Sequence, residues 1–528
     1  MKFLSVFLLV TVYLCLTSQT MAQNKTNGIV YEDLNRNNKK ERNEKGLPNV
    51  GVSNGKEVVQ TNSKGEYSLP VSDDNIIFVI KPATHTVPVN EYQQPQFFYI
   101  HKPNGSPSLK YSGITPTGEL PKSIDFPLIP IAEKKQFTML VFGDPQPYNL
   151  TEVDYFYRGV VKEVENIKGV EFGLSLGDLV GDNLDLFQPY KNAVKNVGIP
   201  WYNVMGNHDE NYDVKNDSLS DESFEREFGP ANYAFNHGKV HFIILDDILY
   251  PDPRDQSGYW GGFTKDQLEF VKNDLKLVPK ENLIVLAFHI PIKEDVGEDP
   301  FRESDRDSLF LLLKDFPNTL SMSAHTHYQE QVFMTKADGW LQTKPHHHFN
   351  VGASCGDWYS GKPNEQGIPI STMRDGTPKG YVFLKFDGNN YTFDYKVAGK
   401  PADYQMEISA PKVVRQNKKT SARIYANFFI GGPDDVLTYR VDEGEWQTMN
   451  RVINYDPAYL HLLHEWDFSD ELIGDRRPSN QVDCSHLWRG TIPTNLPLGN
   501  HTIEIKAVDM FGRTFTQQSS YRVAEKLQ

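Results

Sequence analysis

Five short motifs in the middle of the sequence carry carboxylate, amide and imidazole side chains. In chain order they are GDPQ (143–146), GDLVGD (177–182), GNHD (206–209), FHIP (288–291) and AHTH (324–327). Carboxylate and amide oxygens together with imidazole nitrogens suit Mn, Fe or Zn, and the five motifs contain no cysteine. Each motif alone also fits an ordinary turn or a helix cap. Taken together and in this order, they predict a metal site.

Three of these residues indicate how two metal ions could be held side by side. Asp178 has two carboxylate oxygens, so one side chain can bridge two ions. His325 and His327 are two residues apart, and on a strand such side chains share a face. Two metals roughly 3.5–4 Å apart clamp the oxygens of a phosphate and lower the pKa of a bridging water. The pattern therefore predicts hydrolysis of a phosphate ester by metal-activated water.

The motifs follow segments that the sequence predicts to be buried strands. Between about residues 136 and 398, apolar runs such as TMLVFG, EFGLSLG and NLIVLAFH alternate with amphipathic segments such as TKDQLEFVKNDLKLV. This alternation predicts an α/β core, and open α/β sheets bind their ligands at the carboxyl ends of the strands. We therefore expect the motifs to meet at one edge of the core.

The ordered set of motifs resembles the calcineurin-like metallophosphoesterases. The resemblance implies two packed β-sheets flanked by helices, and two divalent metal ions, which would be Mn, Fe or Zn. His208 would face the phosphate, where it would stabilise charge or protonate the leaving oxygen. The implied metal ligands are Asp144, Gln146, Asp178 and His327 for one ion, and Asp178, Asn207, His289 and His325 for the other.

Two positions depart from the family pattern, and a third differs from one branch of the family. Gln146 stands where the family usually has histidine, and an amide oxygen is a poorer ligand than imidazole. The first ion would then be bound more weakly, be exchangeable or be held with an extra water. Gly181 stands where purple acid phosphatases have a tyrosine ligand, so no purple iron–tyrosinate colour is expected. Ala324 replaces the usual glycine before His325, which keeps a small residue there.

The segment after the last motif contains further candidates. Arg374 is a candidate phosphate clamp, because its planar guanidinium matches two oxygens. Trp358 and Tyr359 could stack on a sugar or a base, and the alternative for all three residues is a structural loop. The run His346–His348 could form a metal site, but a strand whose alternate members face the core or the cleft is the preferred interpretation.

Both flanks of the α/β region predict short strands separated by turns. Residues 23–133 resemble the prealbumin-like B-repeat β-sandwich domains of bacterial surface proteins, and 401–528 predict an Ig-like or fibronectin-like sandwich. The catalytic domain is expected at 134–400 between them. The segment DLNRNNKKERNE fits either a calcium loop or a polar turn without metal. Its calcium ligands would be Asp33, Asn35, Asn37, Glu41 and Glu44.

The first 22 residues predict a signal peptide. Lys2 gives a positive start, Phe3–Leu16 is mainly apolar, and Thr20–Ala22 offers small residues for cleavage. The apolar run is too short to span a membrane comfortably, and no other stretch looks transmembrane. We therefore expect a soluble protein that is secreted, periplasmic or on the cell surface, with a retained anchor as the alternative.

Composition narrows the class of substrate. The chain has 528 residues and a formal net charge of −15, so it is long enough for several domains and repels nucleic acid. A small molecule or head group is therefore the expected phosphate ester. The competing hypothesis is a non-catalytic surface-binding protein with a relic phosphoesterase domain, but a relic has no reason to keep seven coordinating side chains. Cys355 and Cys484 are expected to be isolated buried thiols, with a disulfide as the alternative.

Overall fold

The computed structural model describes residues 24–296 and 300–525. The predicted signal peptide therefore lies outside the described residues. Within those two ranges, no helix combines the length and the apolar character needed to cross a bilayer.

The N-terminal part is a sandwich of two four-stranded sheets, with the strand orders β4-β1-β8-β6 and β3-β2-β5-β7. Val30 and Leu128 from the first sheet and Val52 and Phe78 from the second are fully buried in one hydrophobic core. The strands are β1 (Lys25–Glu32), β2 (Gly51–Ser53), β3 (Val58–Gln60), β4 (Glu66–Pro70), β5 (Asn75–Ile80), β6 (His85–Thr86), β7 (Phe98–His101) and β8 (Phe126–Pro130).

The central part contains a five-stranded and a six-stranded sheet, with the orders β11-β10-β9-β20-β21 and β12-β13-β16-β17-β19-β18, and a short β14-β15 pair. The strands are β9 (Gln136–Phe142), β10 (Phe172–Leu176), β11 (Trp201–Val204), β12 (Tyr233–His237), β13 (Val240–Ile244), β14 (Ile248–Leu249), β15 (Trp260–Gly261), β16 (Leu283–Ala287), β17 (Asn318–Ser323), β18 (Gln329–Met334), β19 (His346–Val351), β20 (Gly380–Asp387) and β21 (Asn390–Val397). The helices are α1 (Leu150–Gly159), α2 (Phe187–Val194), α3 (Glu222–Phe228), α4 (Lys265–Leu275) and α5 (Glu303–Leu313).

The two central sheets pack face to face. Phe172 of β10 meets Phe242 of β13 edge-on, with ring centroids 5.4 Å apart. All residues of β10, β13 and β16 are buried, as expected for strands covered on both faces. Strands β9, β10 and β11 run parallel, and so do β13, β16, β17 and β19. The predicted α/β core of two packed sheets is thus confirmed.

The C-terminal part is a second sandwich, with the sheet orders β22-β24-β28-β27 and β23-β30-β29-β25-β26. Its long antiparallel hairpin of β29 and β30 is the one that the sequence predicts. The strands are β22 (Met406–Ser409), β23 (Val413–Arg415), β24 (Arg423–Phe428), β25 (Val436–Val441), β26 (Gln447–Thr448), β27 (Asn450–Asn454), β28 (Cys484–Thr491), β29 (Gly499–Val508) and β30 (Thr514–Ala524).

A helix that the sequence analysis missed, α6 (Pro457–Asp467), interrupts this sandwich between β27 and β28. It begins with Asp456 as its cap, whose carboxylate accepts a hydrogen bond from the backbone N–H of Tyr459 at 2.8 Å. Proline at the first helical position adds to this start. Among the described residues, Cys355 and Cys484 are free and buried, as predicted.

Candidate metal centre

The five motifs meet because each comes at the carboxyl end of a strand in the two central sheets. Gly143 directly follows β9 and Gly177 directly follows β10, while the GNHD motif begins two residues after β11. Phe288 directly follows β16, and Ala324 directly follows β17. Parallel strands present these ends at the same edge, so distant parts of the chain are brought into one cluster.

The backbone at the cluster is unusual. Left-handed conformations of non-glycine residues cost of order 1–3 kcal/mol each and persist only where the surrounding structure enforces them. Five predicted metal ligands adopt them: Asp144, Gln146, Asp178, His325 and His327, at φ of 32°, 38°, 47°, 68° and 55°. This concentration of strain at one edge indicates that the loops are built to aim side chains rather than to minimise local energy.

The ligands predicted for the second ion lie in contact with one another. His289 Nε2 is 3.2 Å from Asp178 Oδ1 and 3.1 Å from Asn207 Oδ1. His325 Nδ1 lies 3.2 Å from the same His289 nitrogen. Ligand atoms of Asp178, His289 and His325 all fall within 4.8 Å of one another. Four side chains from four different loops thus point at one small volume.

The ligands predicted for the first ion lie beside this group. Asp144 Oδ1 is 3.9 Å from His289 Nε2, and the Gln146 Nε2 amide donates to Asp178 Oδ2 at 3.2 Å. Gln146 Oε1 is buried and has no hydrogen-bond partner in the described structure. A buried carbonyl oxygen without a donor is costly, and a cation is a natural partner for it.

Neighbouring groups orient the histidines. His289 donates its Nδ1–H to the carbonyl oxygen of Leu176 at 2.7 Å, and His327 donates its Nδ1–H to that of Gly356 at 2.5 Å. Both rings are thereby left with Nε2 as the free ligand atom. Asp247, to which sequence reasoning gave no role, accepts the backbone N–H of His289 at 3.0 Å and so fixes the loop itself.

The protonation equilibria also fit a cation. Burial raises the pKa of Asp144 well above its ordinary value. Burial lowers the pKa values of His325 and His327 to about 3, so both rings are neutral and able to ligate. Burial also lowers the pKa of His289, but the Asp178 carboxylate overrides this and raises it to about 10. The surroundings of His289 Nε2 thus favour a positive charge, which a bound ion would supply in place of the proton.

His208 lies at the edge of the cluster, where the sequence places the phosphate. Its Nδ1 is 2.6 Å from Asp182 Oδ1, and its backbone N–H donates to Asp178 Oδ1 at 2.9 Å. Burial lowers the pKa of His208, but the Asp178 and Asp182 carboxylates override this and raise it to about 9. Asp182 stands in the GDLVGD motif, yet sequence reasoning did not recognise it as the partner of His208.

A cleft of about 290 Å³ opens onto the cluster. Arg374 Nη2 donates to the Thr326 carbonyl oxygen at 2.6 Å, and Trp358 stacks on the His327 ring with centroids 4.0 Å apart. Beyond the metal ligands and His208, the cleft is lined by Tyr259, Glu294, Thr326, Tyr328, Trp358 and Arg374. Of these, sequence reasoning named only the tryptophan and the arginine. Thr326 stands between the two histidines of the AHTH motif, and Tyr259, Glu294 and Tyr328 stand outside the five motifs.

Tyr359 does not line the cleft, so its predicted stacking role is wrong. Only 5% of its surface is exposed, and its hydroxyl donates to the carbonyl oxygen of Pro145. The ring lies against Tyr155, with centroids 6.1 Å apart. Neighbouring residues in an irregular loop point in different directions, so the tyrosine braces the first motif while Trp358 faces the substrate space.

The run His346–His348 forms strand β19, as the preferred interpretation expects, and is not a metal site. Ser321 of β17 bridges the two outer rings, at 2.7 Å from His346 Nε2 and 2.8 Å from His348 Nδ1. His347 points to the other face and stacks on Phe333 with centroids 4.6 Å apart. The alternation of a strand separates the three rings, so they do not converge on one ion.

The predicted calcium ligands share one N-terminal turn: Asp33, Asn35, Asn37, Glu41 and Glu44. Asp33 accepts backbone N–H groups of Asn37 at 3.2 Å and Asn38 at 2.9 Å, and Glu41 accepts the amide of Asn35 at 3.1 Å. Asn38 stands at the loop position where glycine is usual, and it adopts the left-handed conformation with φ of 59°. Calcium binding at this turn stays a prediction.

Comparison with known families shows to which family this chain belongs. A family model described as the N terminal of calcineurin-like phosphoesterase matches residues 34–112. The model of calcineurin-like phosphoesterase itself matches 137–329, and that of its C terminal matches 348–515. The chain belongs to the calcineurin-like phosphoesterase family. The family resemblance drawn from the five motifs is therefore confirmed, and the match to the central model contains all of them.

Individual relatives are distant. A probable glycerophosphodiester phosphodiesterase of Arcobacter nitrofigilis is 20% identical over 208 residues, which cover 38% of this chain and 72% of the relative. A dimetal phosphatase from Danio rerio is 13% identical, with a TM-score of 0.36, over 49% of this chain and 95% of its own. A purple acid phosphatase from yellow lupin (Lupinus luteus) seeds is 13% identical, with a TM-score of 0.35, over 71% and 66%.

Proposed function

We propose that this chain is an exported hydrolase of small phosphate mono- or diesters that uses two divalent metal ions. The observation that carries the proposal is the convergence of the predicted ligands from five loops, with the Gln146 Oε1 atom buried beside them and unpartnered. Buried carboxylates, neutral imidazoles and an amide oxygen form a donor set that fits Mn, Fe or Zn. The proposed extents remain 23–133, 134–400 and 401–528 for the three domains.

The residues would divide the work as follows. The ions would be held by Asp144, Gln146, Asp178 and His327 on one side and by Asp178, Asn207, His289 and His325 on the other. When bound, such ions polarise the phosphate and lower the pKa of a water. His208, whose pKa the Asp178 and Asp182 carboxylates raise, would face the ester and donate a proton to the leaving oxygen. Arg374 and Trp358 would orient the rest of the substrate.

The test is turnover of p-nitrophenyl phosphate beside bis-p-nitrophenyl phosphate by the purified chain, with added Mn, added Zn or no metal. We expect metal-dependent hydrolysis, which Asp178→Asn abolishes. Asp185→Asn is the matched control, because Asp185 is exposed in the same loop region. The preferred ester would distinguish a monoesterase from a diesterase.

The competing function is a surface-binding protein with a relic domain. Absence of turnover together with absence of metal binding would favour that function and refute ours. Metal binding without turnover of either ester would instead indicate a narrow substrate. Export is tested separately, by finding whether the N terminus of the mature protein lies near residue 23.

A further inference from the structure

Two guanidinium groups from distant parts of the chain flank Trp358. Arg374 belongs to the turn before β20, and Arg476 belongs to the loop that follows α6 in the C-terminal sandwich. The centre of each guanidinium lies 5.7 Å from the centroid of the Trp358 ring. Arg374 donates to the Thr326 carbonyl oxygen at 2.6 Å, and Arg476 Nη1 donates to that of Trp358 at 3.2 Å. Backbone carbonyls, not acids, hold both groups in place.

Neither group is neutralised within the described residues. Arg374 and Arg476 form no ion pair with a carboxylate there, and the Nε of Arg374 is buried without a partner. The adjacent Arg477 behaves oppositely, since its Nε lies 2.6 Å from Asp467 Oδ1. In a chain with 69 acidic and 54 basic residues, acidic partners are plentiful. Two guanidinium groups that contact one tryptophan therefore carry positive charge without an acidic partner among the described residues, at the wall of a cleft that Glu294 also lines.

The loop that carries Arg476 is fastened to the cleft wall. The carbonyl oxygen of Arg476 accepts the backbone N–H of Gly361 at 2.8 Å. Trp358 itself is held in a left-handed conformation, with φ of 49°. The arginine therefore does not depend on a substrate to reach the tryptophan, and less side-chain entropy is lost on binding.

The two arginines differ in depth. Arg374 lines the cleft together with His325 and His327, whereas Arg476 is exposed and does not line it. Arg374 lies at the cleft beside the metal ligands, and Arg476 reaches the same tryptophan from outside the cleft. The planar guanidinium offers paired donors that match the oxygens of carboxylate or phosphate.

We infer that Arg374 and Arg476 form an anion subsite for a second negatively charged group of the substrate, either a carboxylate or a second phosphate. The first phosphate would face the metal ligands, so the inference rests on the proposed function. The preferred substrates are then small phosphate esters with two anionic groups. The C-terminal sandwich supplies one of the two binding residues and so takes part in substrate selection.

Three phosphonates that cannot be hydrolysed test the subsite without requiring turnover. They are 3-hydroxypropylphosphonate, 3-phosphonopropionate and propane-1,3-bisphosphonate, which share one phosphonate and differ at the far end. Calorimetric titration of the metal-loaded protein should show at least about tenfold tighter binding of one or both doubly anionic probes, a preference of about 1.4 kcal/mol. Binding of only the bisphosphonate would identify the second group as phosphate, and preference for both would identify any anion.

Single-residue variants test whether the preference for doubly anionic phosphonates depends on the two arginines. Arg476→Gln and Arg374→Gln should each remove most of it, while Arg477→Gln, whose side chain pairs with Asp467, should keep it. Equal affinity of the unaltered protein for all three probes would overturn the inference. So would a loss of affinity in Arg476→Gln that is the same for every probe. Ester hydrolysis without the preference defeats the subsite alone, and the preference in a protein that retains no metal and hydrolyses neither ester defeats the proposed function alone.

Discussion

At the scale of single residues, the candidate site is defined by which polar atoms have partners and which do not. Gln146 stands out in this respect, because its amide oxygen is buried and has no partner in the described structure, while its amide nitrogen donates to Asp178. The side chain therefore already points its acceptor at the place where a cation is expected. Gln146 is a weak ligand because an amide oxygen binds these metals less well than an imidazole nitrogen, not because its side chain points away from the site.

Gln146→His should strengthen retention of the first ion. An imidazole nitrogen is a better donor than an amide oxygen for Zn or Mn, and the position already lies among the ligands. We expect the metal to withstand about tenfold more chelator, which corresponds to about 1.4 kcal/mol of tighter binding. Metal content after dialysis against increasing chelator measures this. Gln366→His, at an exposed loop position, is the control, and equal loss from all three proteins would contradict the prediction.

Asp247→Asn should weaken metal binding without touching a ligand. The carboxylate accepts the backbone N–H groups of His289 and Ile290, both at 3.0 Å, and an amide can accept with only one oxygen. A partner of this kind typically changes metal affinity by about 10–100-fold. Titration with Mn, followed by calorimetry, measures the change, with the exposed Asp315→Asn as control. An unaltered affinity in a folded variant would show that the loop holds His289 by itself.

Among residues, those in motifs could be predicted from the sequence and those that support them could not. The ligands are recognisable because each follows a strand-like apolar run. Asp247 and Arg476 stand outside the motifs, and Asp182 stands in one that does not reveal its partner. Each of the three acts through a contact with a loop elsewhere in the chain. Tyr359 shows the opposite failure, because its residue type fits a cleft but the loop turns its ring inward.

At the scale of elements, the pairing of β17 with β19 places a ladder of hydroxyls beside a row of imidazoles. Ser321 lies between His346 and His348 and contacts both, at 2.7 Å and 2.8 Å. Ser323 continues the ladder, 3.0 Å from His348 Nε2. The sequence predicts the strand but not this partner, because register between strands depends on the whole sheet.

Ser321→Ala should destabilise the fold disproportionately for an alanine substitution. It leaves one nitrogen of each of two buried rings without a partner, which costs roughly 1–3 kcal/mol per group. Urea unfolding should therefore show a lower midpoint and a smaller free energy of unfolding. Ser308→Ala on the exposed face of α5 is the control. A variant as stable as that control would mean that water or a ring rotation replaces the lost bonds.

The same row of histidines makes stability depend on pH. Burial lowers the pKa values of His346 and His347 from 6.5 to about 3. Between these values the unfolded chain holds more protons than the folded one, so stability is full above pH 6.5 and falls as the pH drops. The loss approaches about 1.4 kcal/mol per histidine for each pH unit. Urea unfolding between pH 7.5 and 5 measures it, and a constant free energy of unfolding would refute it.

Across the whole molecule, the C-terminal sandwich is joined to the turn that carries Arg374. His486 of β28 lies 3.0 Å from Asp375 Oδ2, and both side chains are only 1% exposed. Asp375 also accepts the backbone N–H of Gln329 at 3.0 Å, and its own carbonyl accepts the Asn427 amide at 3.1 Å. The sandwich therefore supports the rim of the metal cluster.

His486→Ala should couple a loss of stability to a change at the cleft. It leaves a buried carboxylate without one of its partners, which costs roughly 1–3 kcal/mol or more. We expect a lower melting temperature and weaker binding of doubly anionic phosphonates, because Arg374 is the neighbour of Asp375. His461→Ala, on the exposed face of α6, is the control. Lower stability with unchanged phosphonate affinity would show that the turn is held from elsewhere.

The sequence predicts two flanking sandwiches around the α/β core but not how they are joined. Each sheet pattern is local, whereas the contacts between parts involve single residues such as His486 and Arg476. Helix α6 escaped notice for a similar reason, since it is a lone helix among strands and its flanking loop has no repeat or motif.

The hydrogen bonds that hold the loops of the metal cluster affect how the protein would acquire its ions. His289, His327 and Asp178 are fixed by the chain's own carbonyl and N–H groups, so their orientation depends on the fold as well as on an ion. Affinity of such mixed nitrogen and oxygen sites follows a fixed order among divalent metals, with Mn the weakest, so metal supply helps to decide which ion occupies the site. A chain that folds outside the cytoplasm would then be loaded by the surrounding fluid. Its activity would then depend on the trace-metal content of that fluid.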